Sequence, residues 1–272
     1  METNYTMLYQ LAESMPPITL EEMKSVKLMK RTDMKFVTDV DTLAQLLRLA
    51  ADSYFSQSNV GSRVSPYRTV YWDTCSGHEM FRTHQCGHRP RTKVRARTYL
   101  DSGHSFLEIK KKDNHGKTRK KRVPVPSIEA VMETRVGEDF LKEQTDYSFD
   151  TIRPALGNEF RRITLVNKAK TERLTIDFGL RFHNYETGVD NALPQVAIIE
   201  LKRDGRCVSP ILPLLRQLRI KPAGFSKYCI GTTVTNAGIR AGRFKKRLIK
   251  IGKIVGAIDA PCLREKNAYT RK

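Results

Sequence analysis

One stretch of the chain constrains the fold more than any other, because basic and small uncharged residues alternate along it without interruption. Residues 92–99 read TKVRARTY, so that Lys93, Arg95 and Arg97 share one face of an extended segment. Alternation with a period of two is typical of a β-strand, since successive side chains point to opposite faces. Similar segments, in which charged residues share a face, occur at residues 28–38, 105–112, 118–123, 173–178 and 195–202.

The charge of the whole chain indicates a polyanionic partner. The 272 residues include 49 Lys and Arg against 29 Asp and Glu, which gives a formal net charge of +20 at pH 7. That many like charges repel one another in a folded protein unless an anion compensates them. Nucleic acid, phosphate chains and an anionic membrane are the partners that such a charge fits.

The repetition of charged faces predicts a barrel. A charged face on a single strand would simply be solvated. When many neighbouring strands have such a face, the like charges lie only about 4.8 Å apart and destabilise the sheet. We therefore predict an α+β fold in which eight antiparallel strands close into a β-barrel tunnel, with a charged lumen and flanking helices. Such a lumen suits a chain of phosphates, because each phosphate accepts several charge-assisted hydrogen bonds. The carboxylates on these faces would hold a divalent metal: Asp33, Glu108, Asp177 and Glu200.

The order of these segments resembles that of the triphosphate tunnel metalloenzymes, and most of all the VTC-type polyphosphate polymerase domain. The resemblance extends over about residues 25–235 and rests on the order and spacing of several short motifs. The motifs are RTDMK at 31–35, KVRAR at 93–97, FLEIK at 106–110, Lys120 with Arg122, Arg162, Arg173 with Asp177, IELK at 199–202 and FSKY at 225–228.

The resemblance implies an enzyme that takes the terminal phosphate of ATP and adds it to a growing polyphosphate chain inside the tunnel. It implies ATP and polyphosphate as partners, no specific nucleic acid, and Mn²⁺ or Mg²⁺ as the cofactor, bound by Glu200. Carried over by position, the catalytic residues are Lys35, Arg95, Arg97 and Arg162. The phosphate-binding residues are Arg31, Lys110, Lys120, Arg122, Arg173, Ser226 and Lys227.

The sequence departs from the pattern of these enzymes in two places. The hydrolytic branch has Glu-x-Glu-x-Lys on its first strand, where this chain has Arg31 and Asp33 in place of the glutamates. Fewer carboxylates favour one metal over two, and transfer to a phosphate over hydrolysis. The polymerases tend to have a basic residue just before Phe-Ser-Lys, where this chain has Gly224, with Lys221 nearby.

Two other functions stay open at this point. One is a tunnel hydrolase of triphosphate or nucleoside triphosphates, and the other is a non-catalytic module that binds RNA or polyphosphate. Nucleic-acid modules usually place aromatic residues among the basic ones for base stacking, and few aromatics lie on these faces. Two further motifs are weak. Gly116-Lys117-Thr118 resembles part of a P-loop but is expected to be a hairpin turn. A cluster of cysteines and histidines matches no standard spacing of zinc ligands: Cys75, His78, His84, Cys86 and His88.

The chain is expected to have three parts, namely a leader at 1–24, the tunnel domain at 25–238 and a basic tail at 239–272. The tail has apolar residues at helical spacing, which could lie on an anionic membrane, bind a membrane protein or pack on the barrel. No apolar run is long enough for a transmembrane helix, no signal peptide precedes the first strand, and five cysteines lack a disulfide pattern. A cytoplasmic location is therefore predicted.

Overall fold

The computed structural model of the chain describes residues 5–24, 31–205 and 207–256, without the side chains of Lys24 and Arg31. The strands are β1 Pro17–Ile18, β2 Arg31–Asp39, β3 Tyr54–Gln57, β4 Val64–Thr74, β5 Arg91–Tyr99, β6 Ser105–Lys112, β7 Thr118–Val125, β8 Ile152–Asn167, β9 Glu172–Asn184, β10 Asp190–Leu193 and β11 Val196–Asp204. The helices are α1 Thr6–Ser14, α2 Leu20–Lys24, α3 Val40–Ala50, α4 Glu79–Cys86, α5 Arg135–Gln144, α6 Ile211–Gln217, α7 Lys227–Thr235 and α8 Lys245–Val255. Short 3₁₀ turns occupy Ala51–Ser53, Glu129–Glu133 and Gly242–Phe244.

All eleven strands belong to one sheet, and the prediction of a closed barrel is wrong. Eight strands follow one another in the order β2-β11-β9-β8-β4-β5-β6-β7, with β10 beside β9, and with β3 between β8 and β1. In the part of the chain that the structure describes, the two end strands β2 and β7 do not pair with each other. The sheet is therefore open along the gap between them.

Both end strands have a physical reason not to pair with each other. The edge of β2 is covered by the segment after α6, because the Ala223 N–H donates to the carbonyl of Lys35 at 2.7 Å and Phe36 forms an isolated bridge with Pro222. The edge strand β7 is exposed and rich in Lys and Arg, for example Arg119. Charged residues on an edge strand are a common protection against further pairing. The alternation pattern identified strands but contained no information on these edges.

The open sheet is nevertheless strongly curved. We call the face that carries Lys93, Arg95 and Arg97 the inner face, and the opposite one the outer face. Lys35 on β2 donates to the carbonyl of Phe225 at 3.3 Å, while Lys93 on β5 donates to Oγ of the adjacent residue, Ser226, at 3.0 Å. Strands from distant positions in the sheet order thus approach the same point of the chain, and the inner face is a concave trough.

Helices α1, α3 and α6 cover one half of the outer face. Asp39 ends β2 and caps α3, because its Oδ1 accepts a hydrogen bond of 2.6 Å from the Thr42 N–H. Leu43 and Leu47, one turn apart on α3, are fully buried against apolar residues of β8, β9 and β11. The other half of the outer face, on β4 to β6, packs under α5. Both apolar layers hold the strands at a fixed curvature.

A bulge at Gly179 divides the inner face into a charged half and an apolar half. The backbone of Gly179 has φ +64°, and the register of β9 against β8 shifts next to it. Before the bulge Asp177 faces inward, and after it Leu180 and Phe182 do. An extra residue with positive φ reverses the alternation of a strand, and glycine adopts that conformation without strain.

Helix α7 fills the apolar half of the inner face. All residues from Tyr228 to Thr235 are buried, and α8 joins the same apolar cluster through Leu248 and Ile251, next to β11. Gly231 permits the close approach, since a Cβ there would lie 2.5 Å from side-chain carbons of Leu156 and Phe182. The remaining, charged half of the trough is left open in front of the first turn of α7.

The apolar face of α8 is thus occupied by the core of the protein. Its Ile249 is exposed, and the last sixteen residues lie outside the described part of the chain. A membrane-docking role for the tail stays a prediction. Among the described residues no helix combines the length and the apolar character needed to cross a bilayer.

Candidate phosphate-binding site

Arg97 is a buried cation that forms no ion pair with a carboxylate among the described residues. Its side chain lies at the centre of the inner face, 5% exposed. Nε donates to the hydroxyl of Thr69 at 3.1 Å, and the guanidinium lies 5.5 Å from the ring centroids of both Tyr67 and Phe160. Burial and the positive charge of Arg95 lower the pKa of Arg97 to about 10, although the charge of Glu108 acts in the opposite direction. Because charged groups are rarely buried without a partner, this position is suited to an anion.

Glu108 on β6 fixes the next cation. It is 1% exposed, accepts a hydrogen bond of 2.7 Å from Nε of Arg95 and pairs with Lys120 from β7. Burial alone would raise the pKa of Glu108, but the charges of Arg95, Arg97 and Lys120 lower it to about 2. The carboxylate therefore stays ionised and holds two of the predicted site residues in place.

Asp177 on β9 has the same role on the opposite side of the trough. Arg162 donates to both of its oxygens, and Lys227 from the first turn of α7 pairs with it as well. These charges outweigh the effect of burial and lower the pKa of Asp177 well below its usual range. Burial lowers the pKa of Lys227 to about 8 despite its pairing with Asp177. One carboxylate thus connects β8, β9 and α7.

Three lysines converge in front of α7. Ser226 caps the helix by accepting a hydrogen bond from the Cys229 N–H at 3.3 Å, and it also accepts one from Lys93. Burial and repulsion from Lys35 and nearby arginines lower the pKa of Lys93 to about 8, although Cys229 acts to raise it. Lys110 is exposed to solvent at the edge of this group, and desolvation by its neighbours with the charges of Lys35 and Lys93 lowers its pKa to about 8, although Glu200 acts in the opposite direction. Cations and a helix N-terminus directed at one place favour an anion there.

The family model described as the VTC domain matches residues 30–236. The chain belongs to the VTC domain family. This confirms the resemblance that the basic strands and the FSKY motif predicted. A search of curated protein sequences found no match.

Several solved structures are distantly similar to this VTC domain. A Hippeastrum protein, described as an adenylyl cyclase candidate with a dominant triphosphatase activity, has 15% identity and a TM-score of 0.46 over 76% of this chain and 97% of its own. An adenylate cyclase candidate from Bacillus halodurans has 12% identity and a TM-score of 0.46, covering 73% and 96%. The PH1012 protein from Pyrococcus horikoshii OT3 has 12% identity and a TM-score of 0.39, covering 70% and 91%.

The tunnel metalloenzymes that the VTC domain resembles depend on divalent metal ions, and the inner face fits such an ion only in part. Glu200 is half-buried, and its nearest cation is Lys202, with Nζ 3.8 Å from Oε1. Burial would raise the pKa of Glu200, but Lys35, Lys202 and Arg162 lower it. Within the described ranges no three His, Cys, Asp or Glu residues are grouped to hold a metal. The residues therefore suit an ion that is coordinated mainly by phosphate oxygens, with one carboxylate from the protein.

The remaining predicted residues lie nearer the rim of the trough. Arg173 faces Lys202 across β9 and β11, at the end remote from α7. Arg122 is exposed on the edge strand, with its guanidinium 4.4 Å from the ring centroid of Phe106. The side chain of Arg31 lies outside the described part of the chain, while its backbone begins β2. The position that the resemblance expects to be basic, Gly224, is approached by the guanidinium of Arg247.

Neither of the two weak motifs forms the site that it resembles among the described residues. Gly116 has φ +84° in the turn between β6 and β7, where the Asp113 N–H donates to the carbonyl of Lys117, so Gly116-Lys117-Thr118 belongs to a hairpin as expected. The cysteines and histidines between residues 75 and 88 form no metal group in the described residues. Asp73 instead accepts hydrogen bonds from the N–H groups of Met80 and Phe81 and fixes the start of α4.

The site contains residues that the sequence did not assign to it. Lys93 shares the alternation of Arg95 and Arg97, so its position could have been found from the same pattern. Tyr71 is buried beside Arg95, which together with other cations lowers its pKa against the effect of burial. No sequence signal distinguishes Tyr71 from the other strand tyrosines. Glu108 and Asp177 were expected to bind a metal, whereas the structure uses both in ion pairs.

Proposed function

We propose that this VTC domain is a polyphosphate polymerase that transfers the γ-phosphoryl group of ATP onto a polyphosphate chain at the inner face. The observation that carries the proposal is Arg97, a buried guanidinium that forms no ion pair with a carboxylate among the described residues and that continues the row of Lys93 and Arg95 on one strand. An extended row of cations matches a ligand with a negative charge on every unit. The aromatic rings at Arg97 contact guanidinium groups rather than lying exposed for base stacking.

The state of the carboxylates favours transfer over hydrolysis. Hydrolysis needs an activated water, which carboxylates or a pair of metal ions usually provide. Glu108 and Asp177 are held ionised in ion pairs with two cations each, so neither is placed as a base. The terminal oxygen of a polyphosphate chain is already ionised and needs no general base. A site with many fixed cations and few available carboxylates therefore suits a phosphate acceptor better than water.

The residues have separable roles in this reaction. The bond from the γ-phosphorus to the bridging oxygen of ATP breaks, ADP leaves with the electron pair, and a new bond forms to the terminal oxygen of the chain. Phosphoryl transfer passes through a loose transition state, so alignment and charge neutralisation are the main contributions of the protein. Arg97 and Lys35 contact no carboxylate in the described residues and would bind the transferring group, while Arg95 and Arg162 are held rigidly beside it. A divalent ion bound by Glu200 and the phosphates would supply further positive charge.

The proposal is tested by incubating the purified protein with ATP and Mn²⁺ and separating the products on a gel stained for phosphate chains. We expect long polyphosphate together with ADP, and no chain from the Arg97→Met variant. Lys111→Met is the matched control, because Lys111 is exposed on the outer side of β6. Free phosphate without a chain would identify a hydrolase. No turnover together with tight, salt-sensitive RNA binding would identify a binding module.

A further inference from the structure

A second group of cations lies where β5 begins, beyond the central site. Arg91 continues the alternation of Lys93, Arg95 and Arg97 by one step, roughly 7 Å further along the inner face. Burial and repulsion from nearby arginines lower the pKa of Arg91, although Cys229 acts to raise it. Within the described part of the chain Arg91 forms no ion pair with a carboxylate. The row of positive charges therefore does not end at the residues assigned to the reaction.

Helix α8 and the 3₁₀ turn before it each add one arginine to this row. The guanidinium of Arg247 lies against the backbone of Gly224, where a Cβ would be 3.4 Å from Nη2. Gly224 is two residues before Ser226, which binds Lys93, so Arg247 lies close to the first turn of α7. Arg243 is held near α4 by donating from Nη1 to the carbonyl of Cys86 at 3.0 Å. Both arginines are exposed and form no ion pair in the described residues.

His84 lies among these cations with an unsatisfied nitrogen. Its Nδ1 is buried and has no hydrogen-bond partner in the described residues. Burial and the charges of Lys93, Arg91 and Arg247 lower the pKa of His84 to about 2, so the ring is neutral. A neutral imidazole can still donate one N–H to a phosphate oxygen. A ring nitrogen without a partner, surrounded by cations, is compatible with a phosphate bound nearby.

We propose that His84, Arg91, Arg243 and Arg247 form an outer polyphosphate track, a second binding site that continues from the central site along β5 and over α8. The inference rests on the proposed function, because a polymer longer than the central site must extend beyond it. Arg243 and Arg247 lie after residue 236, where the VTC family match ends. The C-terminal segment of this chain therefore takes part in holding the polymer.

The test compares two probes, long-chain polyphosphate and tripolyphosphate, at constant ionic strength. Arg247→Ala is expected to weaken binding of the long chain about tenfold, as for the loss of one charge-assisted contact, and to change tripolyphosphate binding less than twofold. Lys246→Ala is the matched control, since Lys246 is an exposed cation on the same helix. Arg247→Lys should restore most of the long-chain affinity. Unfolding curves identify any variant that fails to fold.

Several results would overturn the track. These are an equal loss for both probes, no loss for either, or a loss of the same size in Lys246→Ala. Failure of the outer polyphosphate track can be distinguished from failure of the proposed polymerase activity. Wild-type protein that makes polyphosphate without an Arg247 effect would reject the track alone. Protein that makes no polymer but shows the long-chain effect of Arg247 would reject the polymerase and retain the track.

Discussion

Arg162 donates two hydrogen bonds to Asp177, from Nε to Oδ1 at 2.6 Å and from Nη2 to Oδ2 at 2.8 Å. The same carboxylate pairs with Lys227, so two strands and α7 are fixed relative to one another. Donors that are held before the substrate arrives lose little orientational freedom when it binds. The arrangement makes the charged half of the inner face rigid, and it makes the stability of the fold depend on Asp177.

Replacing Asp177 by Asn should destabilise the protein strongly. Breaking a buried ion pair from one side leaves the remaining charges uncompensated, which costs about 3–5 kcal/mol of unfolding free energy. Tripolyphosphate should recover part of this loss, because it supplies negative charge to Arg162 and Lys227. Urea denaturation with and without the ligand measures both effects. Asp139→Asn, at an exposed ion pair on α5, is the control and should change stability by less than about 0.5 kcal/mol. A stable Asp177→Asn protein would show that the pair is not needed for the fold.

Arg97→Met should separate stability from activity. Removing a buried cation that has no carboxylate partner in the described residues should leave the unfolding temperature unchanged or raise it. Turnover should fall by about a hundredfold or more, since a donor to the transferring phosphoryl group is lost. Thermal unfolding and kcat/KM of the same preparation measure the two effects. A variant that loses stability but keeps its turnover would assign Arg97 to the fold rather than to the reaction.

Binding of polyphosphate should weaken, and become coupled to protons, between pH 8 and 9. Lys93, Lys110 and Lys227 have pKa values lowered to about 8, so each begins to lose its charge there in the free protein. Unfolded lysines stay protonated to about 10.4, so stability without ligand rises with pH in this window while affinity falls. The prediction for stability stops at pH 9 because of the Cys229 thiol. Burial raises the pKa of this thiol, so above pH 9 it ionises more readily in the unfolded chain, which lowers the stability of the fold as the pH rises.

Proton uptake on binding provides the direct readout of this coupling. Tripolyphosphate added at pH 8.5 should make the protein take up protons, measured with a pH indicator in weak buffer. Lys93→Arg should take up fewer, because the guanidinium stays protonated throughout this range. Constant affinity and no proton uptake from pH 8 to 9 would show that these lysines do not contact the ligand.

Glu200→Gln should impair the metal-dependent reaction but leave phosphate binding intact. Glu200 is the inner-face carboxylate best placed for an ion, since its nearest cation, Lys202, is 3.8 Å away. Turnover at saturating Mn²⁺ should fall about a hundredfold, whereas metal-free binding of tripolyphosphate should stay the same or tighten, because a negative charge is lost. A titration of activity with Mn²⁺ and a binding measurement in chelator test the two parts. An unchanged Mn²⁺ titration would exclude Glu200 as a ligand.

The sequence predicts most of the charged face but not the shape of the sheet. Alternation at Lys93, Arg95 and Arg97 follows directly from the two-residue period of a strand, so these residues could be placed together. The bulge at Gly179 could not be found, because a glycine between two apparent strands is equally compatible with a turn. As a result residues 173–178 read as a complete strand, although β9 extends from Glu172 to Asn184.

The open edge and the contribution of α8 depend on contacts that are remote in sequence. Ala223 occupies the edge of β2 across more than 180 residues, and no local pattern indicates that pairing. Arg247 reaches Gly224 because the apolar face of α8 packs into the core next to β11. Periodicity determines which side of an element is buried, but the partner of that side is decided by tertiary packing.

A crystal structure of the protein with tripolyphosphate would test the central claim most directly. We expect phosphate oxygens within hydrogen-bond distance of Arg97, Lys35 and Ser226, in the charged half of the inner face and in front of α7. Phosphates bound only on the outer face or on the exposed edge of β7, with Arg97 still without an anion, would contradict the account.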